Sequence, residues 1–175
     1  EFSMLTVGAP APEFKLRDDR GRLQSLRALR GTWVVLYFYP EDDTPTCTTQ
    51  ACEFRDNIFA FRNAGAQILG ISLDDVASHK EFAEKHGLPF PLLADTDHRA
   101  AEAFGAWQEK NMYGKKSWGV VRSTFLIDAE GVVGQVTAVG TFTSEVTLLT
   151  EKDQSVPVML TRNGLRAIAV GSGKD

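Results

Sequence analysis

The sequence has few cysteines and no long apolar segment. Cys47 and Cys52 are its only two cysteines, too few for the disulfide framework of a small secreted domain. No apolar run approaches the ~20 residues that a membrane-spanning helix requires, and no secretory signal segment is recognisable. These absences favour a cytoplasmic protein in a reducing compartment, where a free thiol can be reactive.

The chain also lacks an excess of positive charge. It has 19 Lys and Arg against 23 Asp and Glu, a formal net charge of −4 and a pI near 5.4, which argues against nucleic acid or an anionic membrane as the main partner. Hydrophobic residues make up 43% of the 175 residues, enough for the core of a single domain over 1–175. Residues 1–3 precede Met4 and are interpreted as a cloning remnant.

Apolar strands alternate with amphipathic helices, which predicts an α/β fold with a mixed central sheet and helices on both faces. A β-hairpin is predicted around Asp18–Gly21. Strand 33–39, helix 45–63 and strand 66–72 are expected to form a right-handed βαβ unit. Residues 108–119 are expected to be irregular. The other predicted elements are helices at 76–86 and 97–104 and strands at 92–94, 122–128 and 132–139.

The segment 140–175 departs from this pattern. Residues 144–152 are predicted as a short helix, although Thr and Val make it a poor one. The alternative is a hairpin at 156–170 that turns at Asn163-Gly164. The segment 140–175 is therefore interpreted as a divergent tail of the single domain.

The stretch 37–52 carries the strongest chemical signal. It leads from the end of an apolar strand, through an acidic turn, into a helix. Thr44 can cap that helix and Pro45 suits its first position, which makes Cys47 the third helical residue. The sulfur would then lie at the positive end of the helix dipole, among unpaired backbone N–H groups. Because that position stabilises a thiolate, Cys47 is a candidate nucleophile.

Cys52 follows on the same helix but faces another direction. Helical geometry puts the two Cα atoms roughly 8.7 Å apart, beyond the ~7 Å limit for a disulfide. A disulfide between Cys47 and Cys52 therefore requires the first turns of the helix to unwind. We expect oxidation to loosen residues 44–54, which suits a transient redox pair and not a structural disulfide.

Several of these residues match a known motif. Pro40-x-x-x-Thr44-x-x-Cys47 resembles the peroxidatic motif of the peroxiredoxins, which are thiol-dependent peroxidases. Cys52 stands where many members of the peroxiredoxin Q branch, also called bacterioferritin comigratory protein, carry a resolving cysteine. Arg122 matches the active-site arginine of the family.

The resemblance covers about residues 4–133 and implies a thioredoxin-like fold with an N-terminal β-hairpin. Two features depart from the family pattern. Thr46 stands where this branch often has glycine. The amphipathic helix that usually closes the fold has no convincing counterpart after Val139, so an atypical C-terminal segment is expected.

The resemblance implies a role for each matched residue. Cys47 would attack the peroxide, and Arg122 would keep its thiolate ionised. Thr44 would hydrogen-bond the peroxide oxygens, and Pro40 would shield the thiolate from water. Cys52 would then convert the sulfenic acid into an intramolecular disulfide.

The implied protein is an antioxidant enzyme of cell redox homeostasis. Hydrogen peroxide and organic hydroperoxides are its expected substrates, and thioredoxin or a similar dithiol is its expected reductant. Neither a cofactor nor a metal is expected to take part. We expect a cytoplasmic monomer.

Other functions stay open on the sequence alone. Cys52 could be silent, which would leave a one-cysteine peroxidase. A disulfide oxidoreductase is disfavoured because that reaction uses a C-x-x-C pair. A non-enzymatic thiol- or metal-binding module is disfavoured because His79 and His86, interpreted as surface-edge residues on one helix face, have no evident third ligand. The acidic turn 41–43 is interpreted as a solvated loop.

Overall fold

The computed structural model describes residue 5 and residues 8–139, 144–147, 155–159 and 166–170, with side chains described as far as Val133. The helices are a 3₁₀ helix (Arg27–Leu29), α1 (Pro45–Asp56), α2 (Ile58–Asn63), α3 (Val76–His86) and α4 (Arg99–Ala103). The strands are β1 (Lys15–Asp18), β2 (Leu23–Ser25), β3 (Trp33–Phe38), β4 (Ala66–Ser72), β5 (Leu92–Ala94), β6 (Trp107–Met112), β7 (Lys115–Val120), β8 (Ser123–Ile127), β9 (Val133–Val139), β10 (Ser144–Thr147), β11 (Ser155–Met159) and β12 (Arg166–Val170).

Eight strands form one mixed sheet in the order β10-β9-β8-β3-β4-β5-β1-β2. The central strands β3 and β4 are parallel, as predicted for the βαβ unit. Val35 and Tyr37 of β3 face the layer formed by α1, α2 and α3, whereas Leu36 and Phe38 face the layer that contains α4. Both faces of β3 are buried, which explains why its sequence is a continuous run of apolar and aromatic residues. The predicted thioredoxin-like α/β arrangement is confirmed.

The predicted N-terminal hairpin is formed by β1 and β2, and Asp18 organises its turn. The side chain of Asp18 is buried. Its Oδ1 accepts from the backbone N–H groups of Arg20 and Arg22 at 2.9 and 2.8 Å, and its Oδ2 accepts from the side chains of Arg22 and Gln24, each at 3.0 Å. Burial alone would raise the pKa of Asp18, but these hydrogen bonds outweigh it and lower the pKa below its usual value.

Two of the predicted helices have different bounds. The helix predicted over 45–63 is interrupted at Asn57, between α1 and α2. The Asn57 side chain donates to Glu53 O at 2.9 Å, and its backbone N–H bonds to Phe54 O at 3.3 Å, so local bonds tighten the turn and end the first helix. The helix predicted over 97–104 begins later, because His98 before α4 has a left-handed φ of 52°.

The prediction that 108–119 is irregular is wrong, since β6 and β7 form an antiparallel hairpin there. Its turn is Tyr113-Gly114, with φ values of 53° and 80°, the combination that two-residue hairpin turns use. Met112 and Tyr113 are exposed at its tip. The sequences of β6 and β7 lack the alternation of apolar and polar residues that is typical of half-buried strands, because most residues of this hairpin lie outside the core.

The tail continues in strands. β9 extends the sheet antiparallel to β8, β10 pairs antiparallel with β9, and β11 pairs with β12. The two strands of the hairpin predicted at 156–170 are paired as β11 and β12, and its predicted turn at Asn163-Gly164 lies outside the described residues. The helix predicted at 144–152 is wrong over 144–147, where β10 lies. None of the described helices has the length and apolar character that crossing a membrane requires.

Candidate active site

Cys47 is buried at the N-terminal end of α1. Pro45 is the first helical residue, and Thr44 precedes it in an extended conformation, as the sequence predicts. The side chain of Cys47 is 2% exposed and belongs with Ala51 and Phe54 to the apolar stripe of α1 that packs on the sheet. Backbone N–H groups in a first helical turn lack intrahelical acceptors, so the sulfur lies where negative charge is stabilised.

Arg122 contacts Cys47 from a distant part of the chain. Its Nη2 donates to the Cys47 Sγ at 3.1 Å. The sheet explains the contact: Phe38 of β3 pairs with Ser123 of β8, so Arg122 comes beside the end of β3, where the chain turns toward α1. Because guanidinium keeps its charge at all ordinary pH values, this contact places a permanent positive charge beside the sulfur.

Gln50 belongs to the site, although the sequence analysis missed it. Nη1 of Arg122 donates to the Gln50 Oε1 at 2.5 Å, while Nη2 of the same guanidinium contacts Cys47. Gln50 follows Cys47 by three residues, so both side chains lie on one side of α1. The three-residue spacing from Cys47 was the sequence signal for Gln50. It was not sufficient, because a glutamine on a helix is not distinctive until its contact with Arg122 is known.

Thr44 occupies the N-cap position without making the predicted side-chain cap. Its Oγ1 instead donates to Glu41 O at 3.1 Å. Asp43, just before it, has a left-handed φ of 56° that turns the chain back toward Glu41. Pro40 is exposed and directly follows Tyr39, which is buried. Its shielding of the thiolate stays a prediction.

Cys52 is half-buried on the same intact helix. Both cysteines are free, and α1 runs continuously through both. This is the arrangement expected of the reduced protein, in which the two thiols cannot meet. The pairing of Cys52 with Cys47 stays a prediction.

Two interpretations of polar residues near the site are wrong. Asp42 of the acidic turn is not solvated, because its side chain is 5% exposed, and His79 is not at the surface, because its side chain is 0% exposed. The Asp42 Oδ2 lies 2.8 Å from His79 Nδ1 and accepts from Ser78 Oγ at 2.8 Å, and the Oδ1 accepts from Tyr39 Oη at 2.6 Å. The turn is therefore fixed to α3 by a buried polar network.

The network continues from the turn to β5. His79 Nε2 lies 3.0 Å from Leu93 O, and because a carbonyl can only accept, Nε2 carries a hydrogen. Asp74 Oδ2 accepts from the Asp42 backbone N–H at 2.9 Å. Ligand atoms of Asp42, Asp74 and His79 lie within 4.8 Å of one another, but they are already engaged in these hydrogen bonds.

The C-terminal end of α3 contacts the chain just before α1 and near the end of α1. Asp43 pairs with Lys85 at 2.5 Å and with His86 Nε2 at 2.9 Å. Hydrogen bonds from Lys85 and His86 lower the pKa of Asp43. Arg55, near the end of α1, donates to the His86 carbonyl at 2.6 Å. Both cysteines therefore lie in a stretch whose two ends are attached to one region of α3.

Comparison with known proteins identifies the family. The model of the AhpC/TSA family matches residues 7–136. The chain belongs to the AhpC/TSA family. Peroxiredoxin Bcp of Bacillus subtilis is 48% identical over 127 residues, which are 73% of this chain and 81% of that protein. Peroxiredoxin Bcp of Escherichia coli K12 is 46% identical over 132 residues, which are 75% of this chain and 85% of that protein.

Known structures agree with this assignment. Bacterioferritin comigratory protein of Xanthomonas campestris, which has alkyl peroxide reduction activity, is 47% identical, with a TM-score of 0.66 over 69% of this chain and 76% of that chain. BcpB of Mycobacterium tuberculosis is 36% identical, with a TM-score of 0.67 over 75% of this chain and 84% of that chain. This AhpC/TSA protein is thus a peroxiredoxin, an oxidoreductase that reduces peroxides with a cysteine thiol.

A second family model matches the C-terminal part of the chain, which includes the tail. The barrel core of rod shape-determining protein MreC matches residues 113–175. The match overlaps the AhpC/TSA match over 113–136 and covers less than half of the chain. It is a similarity of this segment alone.

Proposed function

We propose that the chain reduces hydrogen peroxide and organic hydroperoxides with Cys47 as the peroxidatic and Cys52 as the resolving cysteine. The observation that carries the proposal is the 3.1 Å contact between Arg122 Nη2 and Cys47 Sγ at the N-terminal end of α1. It combines a buried thiol, a permanent positive charge and a helix N-terminus, the setting of a reactive thiolate. Support for organic substrates comes from the alkyl peroxide reduction activity of the Xanthomonas relative.

In the first half-reaction, the Cys47 thiolate attacks one peroxide oxygen. The O–O bond breaks, Cys47 becomes a sulfenic acid, and the other oxygen takes a proton and leaves as water or an alcohol. Arg122 and the N–H groups at the start of α1 stabilise the charge that moves onto the leaving oxygen. The Thr44 hydroxyl donates to one peroxide oxygen and accepts from the other, while Pro40 keeps water from the thiolate.

In the second half-reaction, α1 unwinds over 44–54 and the Cys52 thiolate attacks the Cys47 sulfur. An S–S bond forms, and the sulfenic oxygen leaves as water after protonation. Thioredoxin or a similar dithiol then supplies two electrons and two protons, which restore both thiols. We further propose that the enzyme acts as a cytoplasmic monomer.

Peroxide consumption with thioredoxin, thioredoxin reductase and NADPH tests the proposal. We expect turnover by the wild type, no reaction by Cys47→Ser, and one equivalent consumed by Cys52→Ser before it stalls. Mass spectrometry of the wild type after one equivalent of peroxide should identify the Cys47–Cys52 disulfide. Activity of Cys47→Ser equal to that of the wild type would overturn the assignment.

A one-cysteine peroxidase in which Cys52 is silent is the second candidate. The observation in its favour is that Cys52 lies within an intact helix attached to α3 through Asp43 and Arg55, which opposes unwinding. Full turnover of Cys52→Ser with thioredoxin would establish this candidate and exclude the two-cysteine mechanism.

A further inference from the structure

Tyr37 of β3 has a buried hydroxyl group without a hydrogen-bond partner among the described residues. Only 1% of the residue is exposed. Such groups are rare in folded proteins, because a polar atom that loses water and gains no bond raises the free energy of the folded state. The hydroxyl is therefore an unfavourable feature of the fully folded molecule, and it lies beneath the active-site helix.

Helix α1 forms one wall of the Tyr37 environment. The ring of Tyr37 packs on Phe54 with centroids 4.7 Å apart, and Cys47 and Ala51 of the same helix belong to the same apolar cluster. On the sheet side, a Cβ placed on Gly70 would lie 2.8 Å from the Tyr37 hydroxyl oxygen. Because the backbone of β4 blocks that direction, the side chain has little room to shift toward a partner.

Tyr39 provides the contrast. It follows on the same strand face and is equally buried, and the two rings are stacked with centroids 5.4 Å apart. Its hydroxyl donates to the Asp42 carboxylate at 2.6 Å. Burial raises the pKa of Tyr37 well above its usual range, and the charge of Asp42 raises it further, so the Tyr37 hydroxyl stays a neutral group that needs a hydrogen-bond partner.

We propose that Tyr37 promotes the unwinding of α1 that brings Cys52 to Cys47. While α1 is folded, the Tyr37 hydroxyl is unpaired; once residues 44–54 leave the sheet, water can bond to it. The unmet hydrogen bond shifts the equilibrium toward the unwound helix by a factor on the order of ten. The inference rests on the proposed function, in which the Cys52 thiolate attacks the Cys47 sulfenic sulfur, forms the S–S bond and releases water.

Tyr37→Phe removes the hydroxyl and keeps the ring, so it tests the inference directly. Amide hydrogen exchange of the reduced protein, followed by mass spectrometry, measures the opening of segment 44–54. We expect this segment to exchange about tenfold more slowly in Tyr37→Phe than in the wild type. Tyr39→Phe is the matched control, and there we expect faster exchange, because a bonded hydroxyl is lost. Peptides from α4, which packs on the opposite face of the sheet, provide the reference within each protein.

The functional readout is the rate of disulfide formation after one equivalent of peroxide. We expect Tyr37→Phe to form the disulfide about tenfold more slowly and to accumulate more sulfinic acid at excess peroxide, since its sulfenic acid persists longer. Equal or faster exchange of segment 44–54 in Tyr37→Phe would overturn the inference. A wild type that forms no disulfide would instead overturn the proposed function, and the exchange of the reduced protein, which needs no disulfide, would still test Tyr37.

Discussion

The guanidinium of Arg122 makes two contacts of different chemistry. One nitrogen donates to the Cys47 sulfur and the other to the Gln50 amide oxygen. Two bonds in one plane fix the orientation of a planar group better than one bond. We therefore propose that Gln50 is a positioning residue, which acts on the reaction through Arg122.

We expect Gln50→Leu to lower the second-order rate constant of Cys47 with peroxide by about 10- to 100-fold, because Arg122 loses one of its two fixed contacts. Gln50→Glu retains an acceptor for Arg122 but adds a negative charge near the Cys47 sulfur, so we expect it to keep the contact and still react more slowly than the wild type. Stopped-flow kinetics with hydrogen peroxide measures both variants. Gln67→Leu, at an exposed position of β4, is the control and should react like the wild type. Equal rates for Gln50→Leu and Gln67→Leu would contradict the assignment.

For single residues, the sequence predicts a functional role when the residue type is distinctive and misses the role when the residue type is common. The position of Cys47 at a helix start makes it a candidate nucleophile, whereas Arg122 is assigned to the same site only by the family resemblance. The structure places the two side chains in contact. The burial of Asp42 and His79 is not predictable, because it depends on α3 packing against the turn after β3. Charge and polarity alone would place both residues in solvent.

Among the elements, the β1–β2 hairpin depends most on a single side chain. Asp18 accepts four hydrogen bonds inside its turn. Because these bonds lower its pKa below the ordinary 3.8, the stability that Asp18 provides is fully present above pH 3.8. It is lost as the pH falls through the lower pKa of the folded state.

We expect Asp18→Asn to lower the free energy of unfolding at pH 7 by about 2 kcal/mol, because its amide turns a donor toward the Arg22 and Gln24 donors. Urea unfolding at neutral and acidic pH checks this, and the difference from the wild type should shrink as the pH falls below 3.8. Asp97→Asn is the control, since Asp97 pairs with Arg99 in an exposed ion pair of little energetic value. A difference that did not change with pH would contradict the ionic role of Asp18.

Elements with clear boundary signals are predicted best from the sequence. The helix at 76–86 matches α3, because Asp75 caps it through the Ser78 N–H and Gly87 ends it in a left-handed conformation. The break at Asn57 has no such signal, since the apolar stripe continues across it. The β6–β7 hairpin is missed because most of its residues lie outside the core, so apolar alternation does not mark its strands.

For the whole molecule, the family match covers only part of the chain. The described core clusters contain side chains from Leu5 to Val133, and the AhpC/TSA match ends at residue 136. The MreC similarity at 113–175 could not be predicted from the peroxiredoxin resemblance. That resemblance covers about residues 4–133, and the family pattern gives no information about the segment that follows.

We expect a chain truncated after Val139 to keep its fold and to reduce peroxide within about twofold of the full-length rate, because it retains all of the AhpC/TSA match, which ends at residue 136. A chain truncated after Gly131 is the control. It loses Val133, which is 1% exposed, and the pairing of β9 with β8, so it should unfold. Circular dichroism and peroxide consumption of both chains measure the outcome. Loss of activity in the longer chain would show that the tail supports the site.

The attachment of both ends of the α1 segment to α3 has an entropic consequence. Asp43 contacts the His86 ring, and Arg55 contacts the His86 carbonyl. While both contacts hold, the unwound segment that we propose would be a closed loop and not a free arm. A short loop with fixed ends samples few conformations, which keeps the two thiols at high effective concentration toward each other. The same constraint shortens the search by which the reduced chain winds back into a helix.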